Sequence, residues 1–150
     1  MTDLKLKEIA EVYELHLQAV AQANALNKES VCDALARAGI TRVVVNFNGE
    51  SDQGQIEYVL AYAGKKDAQL PSETIEFHEV AGNTHKLAAS SMMLSKAVET
   101  LCYDYLEQEH GGWENNDGAD GEFTFRVAER RIDLDFNARF TDSTHFDHSF

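Results

Sequence analysis

The sequence predicts an α+β fold: an antiparallel sheet built from two hairpins, with helices packed on one face. Three observations predict it. Strand-like segments fall in two separate pairs, one segment a β-branched run and the other three with period-two apolar alternation, and apolar residues recur at helical spacing in the N-terminal and central stretches. Gly, Asn and Asp cluster at the joints between these segments. The length of 150 residues matches one ordinary domain with a single core.

Taken in order, Leu4, Ile9, Val12, Leu15 and Ala19 form a helical stripe with Lys5, Lys7, Glu8, Glu11 and Glu14 largely opposite. This N-terminal helix, within residues 1–26, is expected as an appendage to the domain. Asn24 to Asn27 reads as a break, with Asn27 capping a short second helix that carries Val31, Leu35 and Ala38. Gly39 suits the left-handed position that closes it. The β-branched run Thr41–Phe47 is the clearest strand, and Gln55–Ala63 is its partner across a polar loop from Asn48 to Gly54. Gly64 to Ser72 reads as loop, and Thr74–Val80 adds a short strand.

A long helix is expected from Lys86 to His110, with Leu87, Leu94, Val98, Leu101 and Tyr105 on one face and Gly111-Gly112 as its stop. Trp113 to Gly121 is turn-rich. Phe123, Phe125 and Val127 then alternate with Glu122, Thr124 and Arg126. Ile132, Leu134 and Phe136 alternate with Asp133, Asp135 and Asn137, which makes a second hairpin with one apolar and one charged face. Residues 137–150 read as an irregular tail. The expected order is α-α-β-β-(β)-α-β-β within one domain spanning residues 1–150.

Composition narrows the function. The formal net charge is −13, and from Glu99 onward thirteen acids face four arginines. Such a field repels phosphate backbones, which argues against direct nucleic-acid binding and favours a basic protein surface or a cation. Acidity also serves solubility alone in many proteins. No apolar run approaches the roughly 18 residues of a membrane span, and the charged N-terminus does not read as a signal peptide. Cys32 and Cys102 lack metal-type spacing and read as reduced, buried thiols of a cytoplasmic protein.

The stretch Asn48–Glu57 resembles a G-x-G-D-S-G-Q-I-E loop, with Glu50 where that pattern has a glycine and Gln53 where it has the serine. Leu101–Phe123, with its His-Gly-Gly-Trp-Glu-Asn-Asn-Asp-Gly block, and Leu134–Asp142 with the closing His-Phe-Asp-His-Ser-Phe resemble blocks that travel with that loop. Together these residues are similar to an uncharacterised family of small acidic proteins from phages, plasmids and other mobile elements. The resemblance covers about residues 28–150 and implies a role in interference with host defence or in transfer.

Two candidate constellations stand out. Glu114, Asp117, Asp120 and Glu122 place four carboxylates on the Trp113–Glu122 stretch with Asn115 and Asn116, all hard oxygen ligands suited to a divalent cation. The order does not match an EF-hand, since Val127 falls at the twelfth position if Gly121 is the sixth. Turn formation, with Trp113 as core anchor, is the competing reading. His145, Asp147 and His148, with Glu107 and His110 at helical spacing, are a weaker transition-metal set. For catalysis, Ser51, Ser90 and Ser91 lie in no nucleophile elbow, and Asp52 with Glu57 is an acid pair of a kind that abundant acids make by chance.

The expectation is a non-enzymatic acidic protein with no required cofactor, binding a basic macromolecular partner as an inhibitor or nucleic-acid mimic. Its contact residues are Glu114, Asp117, Asp120, Glu122, Asp133 and Asp135. The alternative is a metal-dependent hydrolase or metal-stabilised domain built on the same loop and nearby histidines.

Overall fold

The computed structural model describes residues 3–50, 53–82, 84–113, 118–139 and 144–150. Helix α1 (Asp3–Arg37) is continuous where the sequence predicts two helices. Asn24 and Asn27 are buried interior residues of it rather than a break and a cap. Their amides find tertiary partners instead of local backbone: Asn24 donates to Gln108 Oε1 at 2.8 Å, and Asn27 bonds the backbone of His78. That removes the competition with the helix which makes Asn a usual breaker. The helix does end at the expected place. Gly39 has φ +74°, and Ile40 N donates to Leu35 O at 3.0 Å, a Schellman closure with both apolar residues in the core.

Strands β1 (Arg42–Glu50) and β2 (Gln53–Ala63) pair almost to their tip, so the hairpin loop is tighter than predicted. A register shift between Asn46 and Phe47 leaves Glu57 without an opposite residue. Strand β3 (Lys66–Ala68), inside the expected loop, pairs with the end of β2. Strand β4 (Thr74–Val80) forms as predicted.

The expected long helix is a strand followed by a helix: β5 (Leu87–Met93) and then α2 (Leu94–His110). Seven residue pairs join β5 to β4 in a separate two-stranded sheet. The edge of β4 supplies backbone hydrogen bonds to Ala88–Met92, a tertiary demand that overrides helical propensity. Met93 gives α2 no side-chain cap, but Leu94 N donates to Glu73 O at 2.8 Å.

Beyond α2 come β6 (Ala119–Arg126), β7 (Arg131–Ala138) and β8 (Thr144–Ser149), the last lying in the predicted irregular tail. The main sheet runs β3-β2-β1-β6-β7-β8, and every neighbour is antiparallel. The two predicted hairpins thus join through β1 and β6. One face carries Val43, Val45, Phe47, Phe123, Phe125, Ile132, Leu134 and Phe136, all buried. Leu94, Val98, Leu101 and Leu106 of α2, and Val31 and Leu35 of α1, complete this core. Gly121 is a space requirement rather than a turn: a Cβ there would lie 2.0 Å from Asp135 O and 2.7 Å from the Phe47 ring. Phe47 uses that room to meet Trp113 edge-on at 5.4 Å and Phe136 face-on at 6.0 Å.

The N-terminal half of α1 departs from its expected packing. Ile9, Val12 and Leu15 of the apolar stripe are exposed, as are Leu6 and Tyr13. Among the described residues, no helix is long and apolar enough to cross a membrane.

Candidate functional site

The charged face of β6, β7 and β8 is opposite the core, because strand alternation sends successive side chains to opposite sides. Register fixes its layout. Glu122 pairs with Asp135, and Asp135 with Asp147, so three carboxylates line up across three neighbouring strands. Thr124, Asp133 and Ser149 form the next row, and Asp120, Asn137 and His145 the row on the other side.

The flanking rows are largely neutralised. Asp133 accepts Arg126 Nε at 2.8 Å, Arg131 Nε at 3.0 Å and Ser149 Oγ at 2.6 Å. Burial alone would raise its carboxyl, but the Ser149, Arg126 and Arg131 hydrogen bonds outweigh it and hold Asp133 below the usual range. Asp120 accepts Arg139 Nε at 3.0 Å and Asn137 Nδ2 at 3.4 Å. Arg139 also donates to Ala119 O and Asn48 Oδ1, so it fastens the start of β6 to β1.

Among the described residues, His145 alone approaches the carboxylates of the central row. His145 Nδ1 is 3.1 Å from Asp135 and its Nε2 is 3.1 Å from Asp147. Glu122 has no ion-pair partner among the described residues. Asp135 and Asp147 side chains are 54% and 75% exposed, so the row addresses solvent. Like charges directly opposite each other on adjacent strands are destabilising.

Asp120, Glu122, Asp133 and Asp135, four of the six predicted contact residues, therefore share one face, and Asp120 and Glu122 belong to β6 rather than to a loop. Glu114 and Asp117 lie outside the described residues, as do Ser51 and Asp52. Asp147, expected only in a metal set, completes the row. Its signal was the alternation of His145, Asp147 and Ser149 with Phe146, His148 and Phe150.

That alternation also divides the histidine set. His145 and Asp147 face outward, whereas His148 turns inward to His110, the two Nε2 atoms 2.9 Å apart. The His110 ring stacks flat on Phe136 at 3.7 Å. Burial, then the neighbouring His148, lowers its affinity for a second proton. The cluster with metal-ligand spacing is instead Asp135, His145 and Asp147, whose ligand atoms lie within 4.8 Å of one another. Both cysteines are buried and unpaired. Burial pushes the Cys32 thiol up to about 11 and Cys102 well above its ordinary value, the opposite of a nucleophile's environment.

Compared with known proteins, residues 23–150 match a family model described as a family of unknown function, DUF6878. No curated protein and no solved structure matches the chain.

Proposed function

Starting from a chain that belongs to the DUF6878 family of unknown function, we propose a binding rather than catalytic role, exercised through the outer face of β6–β8. The partner is a basic macromolecular surface of the kind that otherwise holds nucleic acid. One observation carries the reading: Glu122, Asp135 and Asp147 stand opposite one another although their repulsion opposes folding. A basic surface laid across the row would convert that repulsion into attraction. Strands are about 4.8 Å apart, so the row offers negative charge at short, regular intervals, as a nucleic-acid mimic requires. The net charge of −13 extends the attraction and speeds encounter. Residence on a mobile element, with a host machine as target, belongs to the same reading, and two unpaired thiols suit a cytoplasmic setting.

The test is capture from the native host with wild-type protein and a Glu122→Gln/Asp135→Asn/Asp147→Asn variant as baits. A basic nucleic-acid-binding protein retained by the wild type alone, and displaced by added duplex DNA, is expected. Equal retention on both baits contradicts the reading.

A divalent cation is the second reading, favoured among the described residues by the spacing of Asp135, His145 and Asp147. Melting with and without a chelator separates the two, because a specifically bound ion raises stability by linkage.

A further inference from the structure

A cleft of about 760 Å³ opens away from the acidic sheet face, between the middle of α1, the end of β4 and the second half of α2. Tyr13, Leu17 and Val20 form an apolar wall along α1, while Glu79, Asp104 and Glu107 bring three carboxylates from β4 and α2. No lysine or arginine lines it. Asp104 is half-buried and makes no hydrogen bond or ion pair among the described residues. Glu79 adds a like charge nearby.

We propose that this cleft binds an aliphatic amine, its ammonium head held between Asp104 and Glu107 and its hydrocarbon stem laid along Leu17 and Val20. Each half of the lining asks for one half of such a ligand. Asp104, half-buried without a counter-charge, is costly to keep ionised until a cation reaches it, and the exposed Glu79 and Glu107 add like charge beside it. The apolar wall on α1 gains by covering a hydrocarbon stem. The exposed Tyr13 ring at the rim adds a face on which an ammonium packs favourably. The head group could come from a free diamine or from a lysine side chain of a partner, and both present the same chemistry.

Burial, and secondarily Glu79, pushes the Asp104 carboxyl up to about 6. An ammonium needs that carboxyl ionised, so affinity falls as pH drops through this range. Glu107 faces the cleft from α2, Glu79 and His78 from β4, and His16 and Tyr13 from α1.

The experiment is isothermal titration of the full chain with cadaverine and with Nα-acetyl-lysine methylamide, using 1,5-pentanediol as uncharged control. Binding of either amine and not of the diol is expected, weaker at pH 5 than at pH 7.5, and the tighter amine identifies the source. Asp104→Asn should weaken binding at least about tenfold while raising the melting temperature, since one charge-assisted bond is lost and one uncompensated carboxylate is relieved. Leu17→Lys, at an exposed position, should fill the site with a tethered ammonium and abolish binding. The Glu122→Gln/Asp135→Asn/Asp147→Asn variant should bind as wild type, which keeps this inference separate from the role of the sheet face. Equal binding of the diol, unchanged affinity in both cleft variants, or loss of binding in the sheet-face variant overturns it.

Discussion

At the scale of single residues, two buried positions do work that their residue type does not announce. Asn27 is fully buried, and its side-chain amide pairs with the free edge of β4, donating to His78 O at 2.8 Å and accepting His78 N at 2.7 Å. An alanine there strands two backbone groups, and we expect Asn27→Ala to cost about 2–4 kcal/mol in urea denaturation. Gly121 was legible as glycine but not as a packing residue, because the ring that claims its space, Phe47, is distant in sequence and meets it only through the β1–β6 pairing. Gly121→Ala should destabilise by about 1–3 kcal/mol or more, and a smaller loss with unchanged aromatic near-UV dichroism would contradict that packing.

At the scale of elements, β1 was legible from its β-branched run, and period-two alternation located β2, β6 and β7: one face of β6 and of β7 is buried, whereas Tyr58 and Leu60 of β2 are exposed. The alternation was weakest for β5, whose Ala-Ala-Ser-Ser run is mostly exposed and has no face to declare. There the partner strand decides the conformation, and propensity pointed to helix. In β8 the alternation was present, but its inner face includes His148, a polar residue in an apolar place. His148 docks the strand by bonding His110. His110 holds its proton less readily folded than unfolded, so acidification below about pH 6.5, the ordinary histidine value, removes stability as unfolded chains take up protons that the folded pair resists. Amide protection in β8, corrected for the slower intrinsic exchange at lower pH, should fall between pH 7 and 5, and His148→Gln should reduce that response. A pH-independent β8 in the wild type would show that the pair does not anchor the strand. Asp104 acts in the opposite sense below about pH 6, since its raised carboxyl favours the folded state on acidification. Exchange at β8, not global melting, therefore reads the histidine pair.

At the scale of the whole molecule, the acidity seen in the sequence has been resolved into unlike parts. Asp120 and Asp133 are structural, each held by arginine. Half-buried Glu122 and exposed Asp135 and Asp147 form a row that only the six-strand register assembles, which is why the sequence indicated the segment but not the line. A partner drawn to that row should bind with marked salt dependence, because charges exposed to solvent are screened beyond about 8 Å at physiological ionic strength. The most direct measurement is the affinity of the captured basic partner for wild type and for Glu122→Gln/Asp135→Asn/Asp147→Asn, at low and physiological salt, with both proteins shown by circular dichroism to be folded. At least a tenfold loss in the variant, with a flatter salt dependence, is the expected result. Wild-type affinity in a folded variant would contradict the central claim.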